Sequence, residues 1–263
     1  MSNKTPDLAS NVSVIESRDS ESAYTLAAQM IVDLATEAVR SRGKFTIALS
    51  GGSTPKKLYE LLASLEWQRK FPWTKTEFFW GDERYVPSTD PSSNFRMTRE
   101  AMLSRVTLTP EQIHRVLTEK PDPAETAELY EQEIRRVVPP GADGWPQFDL
   151  VLLGLGTNGH TASLFPYQPA LHEKKRAVVS EFIDEVKMTR VTMTAPVINA
   201  ARTIVFAALG VDKATVVREV VIGAFDPERL PAQLIRPAQG KLTWIVDPPS
   251  AAKLPPEILR HEK

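Results

Sequence analysis

The chain contains no cysteine. That absence excludes disulfides, thiol nucleophiles, thiol redox pairs and every zinc site that needs thiolate. Histidine is scarce, with four in 263 residues, and glycine contributes only 12, so places where glycines cluster stand out. Neither charge is in excess: 32 Lys and Arg against 33 Asp and Glu leave a formal net charge of -1. Nothing in that balance points to nucleic acid or an anionic membrane as partner. Long hydrophobic runs are missing too. No segment approaches the roughly 18 apolar residues that span a bilayer. The polar opening MSNKTPDLASNVSV lacks the apolar core of a signal peptide. A soluble, cytoplasmic protein with no membrane partner is expected.

What the chain does have is an ordinary globular composition, 42% apolar and 25% charged, at a length that suits one large domain. Tyr24, Ala27, Met30, Ile31, Leu34, Ala35, Ala38 and Val39 recur at helical spacing. They predict a helix over 20–42, with Asp19 or Ser20 as its cap and Gly43 at its end. KFTIAL (44–49) and TEFFWG (76–81) read as strands, with a helix from Pro55 to Leu65 between them. Further helices are expected over Phe95–Val106, over Pro123–Val137 and from Asp212 onward. FDLVLLGLG (148–156), AVVSEFI (177–183), RVTMTA (190–195), TIVFAAL (203–209) and LTWIVD (242–247) read as strands. Strands alternating with helices imply βαβ units, and continuous apolar strands imply a sheet covered on both faces. The expected fold is α/β. A single domain over 1–263 holds a mostly parallel sheet flanked by helices, with 1–15 a flexible leading segment.

In such sheets ligands bind beyond the carboxyl ends of the strands, and three strands here end in polar or glycine-rich loops. Ser50-Gly51-Gly52-Ser53-Thr54-Pro55 suits an anion. Its glycines let backbone N–H groups approach a ligand, its hydroxyls add donors, and the following helix adds a dipole. That dipole is worth roughly 0.3–1 kcal/mol, so further partners are needed. A capped strand-to-helix turn explains the same residues. Ser53-Thr54-Pro55-Lys56 fits S-x-x-K, but no K-T-G element accompanies it and Pro55 spoils a G-x-S-x-G elbow, so a nucleophilic serine is rejected. Gly154, Gly156 and Gly159 match G-x-G-x-x-G. The continuation HTASLFPYQP leaves no room for the helix that a dinucleotide site requires. His160, placed straight after that loop, is the candidate base, since an imidazole titrates near neutrality. His114, His172 and His261 read as surface residues. Asp82, Glu83 and Arg84 open a long polar loop, GDERYVPSTDPSSN, whose charges suit either solvent or a substrate. No metal-ligand spacing accompanies them. Arg190 and Lys213 are isolated cations of the kind a phosphate dianion needs, each charge-assisted hydrogen bond being worth about 1.5–3 kcal/mol.

Taken together, ALSGGSTP, WGDERYVPSTDPSSNFRM, FDLVLLGLGTNGHTASLFP and RVTMTAPVINAAR resemble the blocks of the 6-phosphogluconolactonase family, in the family's order, over about residues 20–247. The resemblance implies a fold related to glucosamine-6-phosphate deaminase and ribose-5-phosphate isomerase. It also implies no metal or organic cofactor, and hydrolysis of a phosphosugar lactone in the oxidative pentose phosphate pathway. It places His160 at the catalytic histidine and Asp82 and Arg84 at the substrate pocket. Ser50, Gly51, Gly52, Ser53, Thr54, Arg190 and Lys213 fall at the phosphate grip. Asn158 stands where the family usually has aspartate, which puts a catalytic or an orienting role for that position in question. Two other readings stay open: an amino-sugar-phosphate deaminase or isomerase using Asp82 as base, and a sugar-phosphate sensor without turnover. A monomer or weak homo-oligomer is expected.

Overall fold

The computed structural model describes residues 8–262. Residues 1–7 of the expected flexible segment lie outside them. Residues 12–16 instead form strand β1 (Val12–Glu16), inserted between the strands Lys241–Val246 and Leu259–His261. The chain continues through α1 (Ser20–Arg42), β2 (Phe45–Leu49), α2 (Ser53–Leu62), α3 (Leu65–Gln68), β3 (Thr76–Trp80), β4 (Asp82–Arg84), α4 (Asn94–Ala101) and α5 (Pro123–Val137). The second half comprises β5 (Leu150–Leu153), β6 (Val178–Ile183), β7 (Met188–Met193), α6 (Ala195–Asn199), β8 (Thr203–Ala208), α7 (Ala214–Ile222), β9 (Lys241–Val246), α8 (Pro248–Ala251) and β10 (Leu259–His261).

Seven strands form one sheet in the order β10-β1-β9-β8-β5-β2-β3, and every pairing in it is parallel. Alternation along its apolar strands feeds two separate cores. Phe45, Ile47, Leu49, Leu150 and Leu152 pack with Ala27, Ile31 and Ala35 of α1 and Leu58 and Leu62 of α2. Ala48, Val151, Leu153 and Phe206 pack on the other face with Tyr130 and Ile134 of α5 and Val217 of α7. Both faces are covered, which is why these strands read as uninterrupted apolar runs. Among the described residues, no helix is long and apolar enough to cross a membrane.

Several elements differ from their sequence expectation. AVVSEFI and RVTMTA do not join the parallel sheet. Too few residues separate them for a crossover, so they fold as the hairpin β6–β7 and pair antiparallel with β4 in a second, three-stranded sheet. The helix expected to run to Leu65 stops at Leu62, because Ser64 is extended and a new turn, α3, starts at Leu65. The helix expected to reach Val106 ends at Ala101, where Met102 leaves helical geometry. Asp19 does cap α1, accepting from the Ser22 N–H, and Gly43 ends it.

After β2 the chain moves to β3 on one side, then returns to place β5 on the other. The β2/β5 boundary is therefore the topological switch point, where an open parallel sheet leaves a crevice at its carboxyl ends. Next to that edge, Asp247 follows β9. Its buried carboxylate accepts from Ser20 Oγ (2.5 Å), the Gly210 N–H (3.0 Å) and the Ser250 N–H (3.0 Å). Burial pushes this carboxyl up, but the hydrogen bonds from Ser20, Gly210 and Ser250 outweigh it and hold it below 3.8. A depressed carboxyl contributes stability that is complete above its unfolded value, about 3.9, and is lost as pH falls through the folded value. Urea unfolding of Asp247→Asn is expected to show lower stability than wild type at pH 7. The gap should close as the pH drops through 4 and below.

Candidate active site

The loops after β2 and β5 and the end of β8 enclose a cavity of about 210 Å³ at the switch point. Ser50, Gly51, Gly52, Ser53, Thr54, Asp82, Arg84, His160 and Lys213 all line it, with Asn94, Gly154 and Gly156. Of the expected residues, Arg190 and Asn158 are not in its wall.

The β2 loop is held from behind. Tyr59 of α2 donates its hydroxyl to the Ser50 carbonyl and accepts from the Ser50 N–H, both at 2.9 Å. Gly52 precedes α2 and offers no side chain to cap it, so no side chain caps the N–H groups of Ser53 and Thr54, residues that line the cavity. Gly51 is required by its neighbour: a Cβ there would lie 1.9 Å from Asn94 Oδ1.

Asp82, Glu83 and Arg84 are not a solvated cluster. As strand β4 they alternate between two faces. Glu83 points away from the site and caps α4, accepting from the N–H groups of Arg84, Asn94 and Phe95, each at 2.7 Å, and from Ser93 Oγ. Burial pushes its carboxyl up against those bonds. Asp82 faces the cavity side, accepting from Ser163 Oγ (2.6 Å) and Asn94 Nδ2 (3.2 Å). Arg84 donates to the Ser92 carbonyl (2.5 Å) and, across the strand pair, sits in register with Arg190. Arg190 is buried beside it and forms no ion pair among the described residues. Burial, then the Arg84 charge, push its guanidinium down. Five buried side-chain polar atoms have no partner among the described residues, and three of them belong to this region: Ser50 Oγ, Arg84 Nε and Arg190 Nε. Leaving such groups unpaired costs about 1–3 kcal/mol each.

His160 stacks on Phe165, with ring centroids 4.2 Å apart and planes within 9°. Its Nδ1 is 2.6 Å from Asn158 Oδ1, and its backbone N–H donates to the same oxygen at 3.1 Å. A carbonyl oxygen only accepts, so Nδ1 carries the hydrogen and Nε2 keeps its lone pair. Asn158 thus stands behind the imidazole rather than in the cavity. Gly156 makes room for the ring, since a Cβ there would lie 2.0 Å from His160 Nδ1. Ala162, two residues on, takes a left-handed φ of 48°, a strained conformation of the kind that collects at functional sites. Lys213 reaches the cavity from the turn before α7, 3.1 Å from Asp212.

Sequence reasoning missed Asn94, Ser163 and Phe165, whose residue types carry no site signal by themselves. It also misplaced His114. His172 and His261 are exposed, but His114 is buried, stacked on Phe79 at 4.4 Å between Glu133 (2.6 Å) and Glu77 (2.9 Å).

This arrangement can be set against known proteins. The family model described as glucosamine-6-phosphate isomerases/6-phosphogluconolactonase matches residues 18–244. The chain belongs to that family. It is 44% identical to the 6-phosphogluconolactonase of Synechocystis sp. over 221 residues, covering 84% of this chain and 89% of that protein. It is 42% identical to that of Nostoc sp., covering 82% and 88%. The solved 6-phosphogluconolactonase of Trypanosoma cruzi superposes with a TM-score of 0.81 at 30% identity, covering 95% of this chain and 98% of that one. The parallel sheet flanked by helices is the fold shared with that solved structure.

Burial pulls the His160 imidazole below the ordinary 6.5; Asp82 and Glu185 oppose this, while Arg190 and Lys213 reinforce it. Proton NMR titration is expected to give His160 a midpoint below 6.5. In Gly156→Ala the ring is displaced from Asn158, and that midpoint should change while far-UV circular dichroism does not.

Proposed function

We propose that the protein hydrolyses 6-phospho-D-glucono-1,5-lactone to 6-phosphogluconate, with His160 as general base. The observation that carries this reading is an imidazole with its Nε2 lone pair free, lining a small cleft with Arg84, Lys213 and the uncapped start of α2. Nε2 takes a proton from water as the water oxygen bonds to the lactone carbonyl carbon and the carbonyl electrons move onto oxygen. When the tetrahedral intermediate collapses, the carbon–ring-oxygen bond breaks. The imidazolium then returns its proton to the departing ring oxygen, which restores neutral His160. Acid–base help of this kind contributes about 10²–10⁴-fold.

Arg84, which lines the cavity and whose Nε–H has no partner among the described residues, is suited to the developing oxyanion. The Gly51–Thr54 loop, the start of α2 and Lys213 suit the phosphate. Arg190, behind Arg84, raises the positive potential of the whole cleft. Asp82 is held by Ser163 and Asn94, so its part is to fix the loops and to favour the imidazolium electrostatically. Phosphate contacts away from the carbonyl orient the ring, which supplies the proximity component.

Hydrolysis of freshly generated lactone, followed as acid release, tests this reading. His160→Ala is expected to lose about 10²–10⁴-fold in kcat, and Lys213→Ala to raise KM. Unphosphorylated gluconolactone should be a far poorer substrate. The acid limb of kcat/KM should fall below pH 6.5, because the basic, neutral form of His160 persists to lower pH. Near-wild-type turnover by His160→Ala overturns the assignment, and ammonia release from glucosamine 6-phosphate would assign the cleft to deamination.

A further inference from the structure

The β6–β7 turn belongs neither to the parallel sheet nor to the cavity wall, yet it reaches the back of the base. Asp184–Val186 forms a single tight turn closed by Lys187 at a left-handed φ of 48°. That turn presents Glu185 to Asn158, whose Nδ2 donates to both carboxylate oxygens, at 2.9 and 3.0 Å. The amide is therefore fixed from two sides. The His160 backbone N–H requires a carbonyl oxygen on one side, and the Glu185 carboxylate requires an NH₂ on the other. Reversing the amide would set its oxygen against the carboxylate and its NH₂ against an N–H.

We propose that Glu185 is a positioning residue for the base: it locks the Asn158 amide so that His160 is held as the Nδ1–H tautomer, and it lends the amide negative charge. The inference rests on the assignment of His160 as base. As the imidazole takes a proton, positive charge develops on Nδ1–H. The chain from carboxylate through amide to imidazole then polarises in the direction that stabilises it. Other charges also face His160: Asp82 from β4, Arg190 from β7 and Lys213 ahead of α7. On the turn itself, Lys187 is paired with Asp184 at 2.8 Å, which leaves Glu185 to the amide. The same geometry makes a second carboxylate at position 158 unwelcome, because it would stand about 3 Å from that of Glu185, where like charges raise each other's energy.

The test uses the full chain with Glu185→Gln, Glu185→Ala, Asn158→Asp and the double variant Asn158→Asp/Glu185→Gln. Each is assayed for kcat/KM against pH, and His160 is titrated by NMR in parallel. Glu185→Gln and Glu185→Ala are expected to lower kcat roughly 10-fold, the scale of lost outer-shell partners, with KM held. Both the acid limb and the NMR midpoint should move to lower pH. Asn158→Asp alone should be slower than the double variant, where the repulsion is gone. Unchanged kcat, pH profile and NMR midpoint in both Glu185 variants overturn the proposal. The NMR midpoint reads the coupling without turnover. If His160→Ala retains activity while Glu185→Gln still shifts the midpoint, the base assignment has failed and the Glu185 contact has not.

Discussion

The carboxylate of Asp82 is the joint on which the site depends. One oxygen accepts from Ser163 in the loop after β5, the other from Asn94 at the head of α4. Asn94 in turn packs so closely on Gly51 that any side chain there would collide with it. One buried side chain therefore sets the spacing of three loops that leave different strands, and that spacing is the width of the cleft. Adjacent in sequence but opposite in direction, Glu83 fastens the helix that carries Asn94. Two neighbouring carboxylates divide the work through the two-residue period of a strand: one assembles the site and the other anchors its support.

The electrostatics follow from the same β4–β7 pairing. Register brings Arg84 and Arg190 side by side, both with an Nε–H that nothing among the described residues accepts. In a protein interior this is an unfavourable state, held in place by the sheet and by the packing around it. Arg84 lines the cleft and Arg190 lies behind it, so the unpaired charge is concentrated on one side of the cavity. The imidazole sits against this background: burial and the cations favour its neutral form, and the carboxylates of Asp82 and Glu185 oppose them.

Much of this was legible in the sequence because the strands are covered on both faces and their apolar runs announce themselves. The loops at their carboxyl ends, Gly51–Thr54, the charged segment from Asp82 and the histidine at 160, were legible for the same topological reason. What stayed hidden was decided by distant partners. β1 and β10 are short strands at one side of the sheet: VSVIE follows a polar opening that reads as a loose leading segment, and LRH has one apolar residue. The burial of His114 depends on Phe79, Glu77 and Glu133, residues 19 to 37 positions away. Three consecutive charges look solvated until strand alternation and the cap of α4 separate them. Glu185 lies 27 positions from Asn158, in a turn whose composition suggests only solvent.

The hairpin β6–β7 carries Arg190 on one strand and Glu185 at its tip, five residues apart along the chain. The two are not independent characters. Inserting or deleting one residue between them would either turn Arg190 to the opposite face of its sheet or withdraw the tip from Asn158. One short hairpin outside the parallel sheet thus carries both the cation paired in register with Arg84 and the carboxylate that holds the Asn158 amide.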